Sequence, residues 1–367
     1  MAETLGMPTL TITIKKAAQT VAARLKDGVV AMIVRDATET PGLYVVGDAA
    51  DIPSKLAVNT AASVERALLG GINRPQKVLL SVIGASDDLV TKGAAALASS
   101  DFDYLAAPDD VDEEEMEALV EWLDGIRAKY SVGKAVLPDH AADNMAVINF
   151  SASGIQADGT TYTGAQYCSR IAGLLAGTPL SNSATSAVLS EVAGVDEVAD
   201  PDAAVAAGKL ILVYDGRKTK LGRAVNSMTT VPTDQSESLK KIKIVAAVDL
   251  IRREAKMLVD DQYTGQGNSY DSKLVMVAAF QDFLTQLEAE GVLQDGSGYA
   301  ELNLEKQRAW LKEQGVDVSS MSDQDILKAD TGPYIWIKMG GTILDGMEDF
   351  DLEFYMGSGT VTGGSAA

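Results

Sequence analysis

Five apolar runs of strand length set the strongest limit on how this chain can fold: "QKVLLSVIG" from Gln76, "FDYLAAPD" from Phe102, "GKAVLPD" from Gly133, "MAVINFS" from Met145 and "KLILVYDG" from Lys209. They are near-continuous rather than alternating, so each strand needs apolar cover on both faces. Helical stretches between them supply it: "NTAASVERALLGG", "SDDLVTKGAAALASS", "DVDEEEMEALVEWLDGIRAKY" and "GAQYCSRIAGLLAG". Ser86 is the expected N-cap of the second. The third has acids at its start and Arg127 and Lys129 at its end, as the helix dipole favours. Strand and helix in alternation predict a mostly parallel α/β sheet with helices on both faces.

The rest of the chain follows other rhythms. "PTLTITIK" alternates strictly, with Leu10, Ile12 and Ile14 on one face and Thr9, Thr11 and Thr13 on the other. "GVVAMIVRD" and "GLYVVGD" read as further short strands. After residue 233 a long helix is expected over "SESLKKIKIVAAVDLIRREAKMLVDDQY", another over "SYDSKLVMVAAFQDFLTQLEAEGVL", and a short one over "SDQDILKAD". The strand "YIWIKMG" follows, then "EDFDLEFYM", which sets Phe350, Leu352 and Phe354 against Asp349, Asp351 and Glu353. The expected organisation is an N-terminal strand arm (1–20), a small β-rich segment (21–74), the α/β domain (75–232), a C-terminal domain of α+β type (233–345), and a C-terminal strand arm with a Gly/Ser-rich tail (346–367).

Counting removes most catalytic chemistries. The single histidine, His140, lies in the loop "LPDHAADN", where an ordinary surface or loop role is expected. No G-x-S-x-G elbow, H-E-x-x-H, Walker A or dinucleotide fingerprint is present. "SVGKAV" lacks the upstream glycine and the Ser/Thr of a P-loop, and "QDGSGYAE" lacks the acid spacing of a calcium loop. One cysteine, Cys168, excludes a disulfide framework. The acids from Asp109 to Glu117 point around a helix start rather than converging, so a solvated face is expected there. No metal or cofactor is implied. The N-terminus lacks a basic stretch followed by an apolar run, so no leader is expected. No segment reaches the roughly 18 apolar residues of a membrane span, and no membrane insertion is expected.

Charge is unevenly placed. The 367 residues carry a formal net charge of -21, which argues against nucleic acid as a partner, since phosphate contacts need positive faces. Residues 87–124 hold 13 acids against one lysine, whereas residues 209–256 hold 11 Lys and Arg against five acids. Arg217, Lys218, Lys220 and Arg223 form the centre of this basic island. On the long helix, Lys241, Arg252 and Lys256 are offset by 11 and 4 residues, which places them on one side at 3.6 residues per turn. Opposite blocks in one chain suit association between copies. The terminal alternating strands suit it too, because each needs one buried face and an exposed strand edge accepts a strand from another chain.

"SRIAGLLAGTPLSNSAT", "LGRAVNSMTT" and "NSYDSKLVMVAAFQDFLTQLEAEGVL" occur in one order across roughly residues 75–355, and together they resemble the tail sheath proteins of contractile phage tails and phage-tail-like bacteriocins. The resemblance implies a subtilisin-like α/β domain without protease activity followed by a C-terminal sheath domain. It implies terminal arms that add strands to neighbouring subunits, so that copies polymerise helically around a tail tube protein between baseplate and tail terminator proteins. It also implies contraction that drives the tube through a cell envelope, assembly in the bacterial host cytoplasm, and a place in a virion tail or tailocin particle. The chain is short for the family, so the outward domains of many sheaths are expected to be missing. On this reading the basic island meets either acidic tube subunits or the acidic block of a neighbouring sheath subunit. Two other readings compete: a degenerate α/β hydrolase using Asp139, His140 and Asp143, and an anion-binding module using the basic loop.

Overall fold

A computed structural model describes residues 28–129 and 131–353. The strands in chain order are β1 (Val29–Arg35), β2 (Gly42–Val46), β3 (Lys77–Ile83), β4 (Tyr104–Ala106), β5 (Lys134–Pro138), β6 (Val147–Ser151), β7 (Ile155–Ala157), β8 (Thr160–Tyr162), β9 (Val192–Gly194), β10 (Lys209–Tyr214), β11 (Thr219–Leu221), β12 (Tyr299–Leu302) and β13 (Ile337–Gly340). Eight of them form one sheet in the order β11-β10-β6-β5-β4-β1-β3-β2. The six inner strands pair in parallel, and β2 and β11 close the two edges antiparallel.

The helices are α1 (Val58–Leu68), α2 (Ala95–Leu97), α3 (Glu113–Arg127), α4 (Gly164–Ala176), α5 (Pro201–Ala206), α6 (Ile242–Leu258), α7 (Tyr270–Ala289), α8 (Leu304–Glu313) and α9 (Asp323–Lys328). Each inner strand feeds both faces of the sheet. Val30, Met32 and Val34 of β1 join the core under α1 and α4, while Ala31 and Ile33 join the core under α2 and α3. The apolar runs are continuous because both faces are dry. Capping boxes start α3 and α4: Asp112 accepts from Glu115 N at 2.9 Å, and Thr163 from Gln166 N at 3.3 Å.

Three expectations need correction. Residues 29–74 are not a separate segment, because β1 lies between β3 and β4 and pairs with both. The β1–α1–β3 crossover draws this stretch into the main sheet, so the sheet shows no division at residue 75. The second helix is capped by Asp88, which accepts from Thr91 N at 2.7 Å, rather than by Ser86, and it opens with a π turn over Leu89–Ala94. The long helix after residue 233 is a 3-10 turn (Glu237–Lys240), then α6, then a π turn (Val259–Tyr263).

The α6 helix is buried over most of its length, against Leu284 and Leu287 of α7 and against Met145, Leu180 and Met228 from the α/β body. A buried ion cluster ties it down. Asp249 accepts from Arg127 Nη1 and Nη2 at 3.0 and 2.8 Å and from Lys134 Nζ at 3.1 Å. Beyond α7, β12 and β13 form a two-stranded antiparallel sheet, and α8 and α9 share a small core of Leu311, Val318 and Ile326.

Candidate subunit interface

The basic island is a β-hairpin. β10 and β11 pair antiparallel, and Gly216 turns the chain between them at φ 85°. Asp215 organises the turn, accepting from Arg217 N at 2.9 Å and Lys218 N at 2.8 Å and pairing with Lys220 Nζ. The Lys220 hydrogen bond, with those two amides, holds the Asp215 carboxyl down at about 2. One of the four cations is therefore matched inside the hairpin. Arg217 and Lys218 stand exposed at its tip, and their side chains have no ion-pair partner among the described residues.

Arg223 and Lys241 face their own chain. Arg223 pairs with Asp349 and lies 3.6 Å from Glu348; Lys241 Nζ donates to Asp345 at 2.6 Å and to Glu348 at 3.0 Å. The Glu348 side chain is only 4% exposed. Its Oε1 also accepts from Ser183 Oγ at 3.1 Å and Thr185 Oγ1 at 2.6 Å. The expected basic stripe of α6 is likewise occupied within the chain: Arg252 Nη2 donates to the Arg127 carbonyl, and Lys256 pairs with Asp260 one turn on. Lys241 is not in the helix at all. It is the N-cap residue, with extended backbone (φ -93°, ψ 130°), so its offset of 11 places it on no helix face.

Sequence reasoning missed the acidic partners Asp345 and Glu348, the Ser183/Thr185 pair, and Arg253, which donates to Asp103 at 3.2 Å. Of that acidic group the sequence pattern picks out only Asp349, as a strand residue opposite the apolar face. An acidic residue close behind a basic cluster in sequence would have been readable; these partners lie 104 to 165 residues away.

Of the terminal strands, Leu10, Ile12, Ile14 and Phe354 lie outside the described residues. Phe350 and Leu352 are 70% and 87% exposed, and residues 344–353 join no strand. Neither outer edge of the β12–β13 sheet carries a third strand among the described residues. Among the described residues the sheet therefore stays two-stranded, with Gln281 of α7 bonded to Ala300 N of β12 at 2.9 Å, and the apolar side chains of Phe350 and Leu352 lie on a segment outside any strand.

The competing triad does not come together. His140 is buried rather than superficial, with Nδ1 2.9 Å from Glu113 Oε1. Asp139 accepts from Ser151 Oγ and from Lys209 Nζ at 3.5 Å. Asp143 accepts from the Thr229 and Thr230 amides at 2.6 and 2.9 Å, which holds its carboxyl well below the usual range. Each group serves a different loop contact. A cleft of about 280 Å³ opens where β1 and β4 end, lined by Arg35, Ser63, Arg66, Gln166 and Ser169 among others; none of the three residues lines it.

Among the described residues the fold is a largely parallel α/β body with a helical C-terminal region packed against it. The family description "Phage tail sheath protein central domain" matches residues 84–227. A tail sheath protein of Clostridium phage phiCD119 is 33% identical over 360 residues, covering 96% of this chain and 99% of that protein. The chain belongs to the phage tail sheath family, whose members are structural subunits of contractile tails. Solved structures share its fold. The helical sheath of the anti-feeding prophage in its contracted state aligns with a TM-score of 0.67 at 14% identity, covering 96% of this chain and 99% of that one. A sheath tail protein of Desulfitobacterium hafniense aligns with a TM-score of 0.64 at 15% identity, covering 80% and 94%.

Proposed function

We propose that this subunit polymerises helically around a tail tube, linked to its neighbours by exchanged terminal strands, and that the polymer contracts to drive the tube through a target envelope. The observation that carries the reading is the pairing deficit. Among the described residues, Phe350 and Leu352 project from a segment with no strand partner, and no third strand joins β12–β13. An isolated two-stranded sheet is marginal in water. A strand from a neighbour would extend it and cover the apolar side chains. The two proposed donors are the N-terminal segment at residues 8–15 and the C-terminal segment at 348–356, each of alternating sequence.

In this reading the extended sheath is a metastable lattice of heterologous contacts. Contraction repacks rigid subunits into a wider, shorter lattice while the arms keep them connected. The energy resides in the lattice, so no nucleotide or cofactor is required. The α/β body acts as a subtilisin-like scaffold without protease chemistry, and residues 233–345 act as the C-terminal sheath domain. Arg217 and Lys218 contact the tube or a neighbouring subunit through weak, salt-sensitive pairs worth about 0–1 kcal/mol each, which suits a sheath that must slide along its tube. Baseplate and terminator proteins bound the polymer, which assembles in the host cytoplasm and works in a virion tail or tailocin particle.

Negative-stain electron microscopy of the purified protein, alone and with its tube protein, tests this directly. Hollow striated cylinders, narrower with tube than without, are expected. Dispersed monomers at high concentration in both samples would overturn the proposal.

A further inference from the structure

The acidic segment Asp345–Asp349 is seated in a socket built from three distant parts of the chain. Ser183 and Thr185 come from the loop after α4, Arg223 from the turn after β11, and Lys241 from the cap of α6. The socket itself is tied together, because Thr185 Oγ1 accepts from Ala224 N at 3.0 Å. The contacts differ in weight. Asp345 and Asp349 have side chains 44% and 80% exposed, so their pairs with Lys241 and Arg223 are solvent-screened. Glu348, at 4% exposure, meets two hydroxyls and two cations away from water, where charge-assisted hydrogen bonds are strong. The backbone fits as closely as the charge: a Cβ on Gly346 would lie 2.7 Å from Ser183 Cβ, so only glycine lets the segment lie this near the socket floor.

Exposed apolar side chains flank Glu348, Met347 just before it and Phe350 and Leu352 beyond it, where the chain leaves the socket. We infer that Glu348 is the anchor of the C-terminal arm: it fixes the point and direction at which the arm leaves the body, and so the position at which a neighbour receives it. This rests on the strand-exchange reading above. A free arm would search a large volume before pairing. An arm rooted at Glu348 starts beside its exit point, and tension on it reaches α4, β11 and α6 together. Glu348 acts through the arm's position and touches no partner itself.

The test uses full-length protein with two readouts. In monomer at low concentration, spin labels at Leu352→Cys and Asp202→Cys report the distance from arm root to body; Cys168 is fully buried and its thiol is pushed up by burial, so it stays unlabelled. In unlabelled protein, the critical concentration for cylinder formation is measured. Wild type should give a narrow distance distribution. Glu348→Ala and Gly346→Val should broaden it and raise the critical concentration about tenfold or more. Glu348→Gln, which keeps acceptors for the hydroxyls but loses the charge, should fall between.

A chain ending at Asp349 separates the two ideas. If it fails to assemble while Glu348→Ala assembles like wild type, the anchor is wrong and the arm reading stands. If it assembles normally, the arm reading falls and the anchor's role falls with it. A lowered melting temperature in Glu348→Ala with unchanged distances and assembly would also overturn the anchor, leaving a purely structural contact.

Discussion

Removing Asp249 should uncouple the C-terminal region from the α/β body. The carboxylate is 2% exposed and accepts three charge-assisted hydrogen bonds from Arg127 and Lys134, themselves 6% and 2% exposed. In Asp249→Ala each cation keeps one carbonyl, Gly133 O for Arg127 and Val132 O for Lys134, both at 3.0 Å. Two buried positive charges then lose the carboxylate they share, with only the weaker influence of Asp103 left on Lys134, which costs about 3–5 kcal/mol. At a urea slope of about 3 kcal/mol per molar the midpoint should fall by about 1 M or more. Tryptophan fluorescence can assign the loss. Trp122 stacks beside Phe102 in the body, whereas Trp310 and Trp336 cluster with Tyr334 in the C-terminal region. With Trp→Phe variants that keep one group or the other, wild type should show coincident transitions and Asp249→Ala separated ones. Replacing all three members (Arg127→Met, Lys134→Met, Asp249→Leu) should recover most of the loss, because no charge is then stranded. Burial pushes the Asp249 carboxyl up, but Arg127 and Lys134 outweigh it and hold the group below its usual value. Its contribution is therefore present above about pH 4 and lost as pH falls through the lower folded value, so wild type and Asp249→Ala should converge in acid. A loss under about 1 kcal/mol, or coincident transitions in Asp249→Ala, would refute the reasoning.

Deleting residues 1–16 should abolish polymerisation and leave a folded monomer, checked by sedimentation and circular dichroism; cylinders from the truncated chain would exclude the N-terminal strand as a link. Arg217→Glu with Lys218→Glu should weaken co-sedimentation with tube, most at low salt, while thermal stability moves by no more than about 0.5 kcal/mol; unchanged co-sedimentation would remove the hairpin tip from the interface. Asp36→Ala should cost about 1–3 kcal/mol in denaturant titration, since Asp36 accepts from Thr38 N and Oγ1, Glu39 N and Ala57 N at 2.6–3.0 Å. Burial raises that carboxyl but the hydrogen bonds lower it more, so its contribution should fade only in acid, below about pH 4.

What could be read from the sequence was what local periodicity encodes. The runs at β3, β5, β6 and β10 and the helices α1, α3, α4 and α7 are where apolar spacing puts them. Sheet order is not local, so local pattern alone places β1 in a separate segment although it pairs with β3 across the whole of α1. The π turn at Leu89–Ala94 has no spacing signature distinct from an α-helix, and with it the true cap, Asp88, was missed. The basic island is visible in the sequence, but its partners are not. Arg223 and Lys241 look free in sequence because the acids that match them lie more than 100 residues on, and the burial of Glu348 is a property of the assembled socket alone.

The place of β1 in the sheet bears on how the molecule withstands force. A pull on the chain ahead of Val29, directed along the strand, meets hydrogen bonds that run across it to β3 on one side and β4 on the other. Seven residue pairs with β3 and three with β4 share the load. They are strained in shear, all together, and no single bond at an end can open first as in a zipper. An edge strand such as β2, pulled the same way, would share the load with one neighbour only. A chain whose first described strand is an inner one is suited to carrying tension from its N-terminus into the whole sheet.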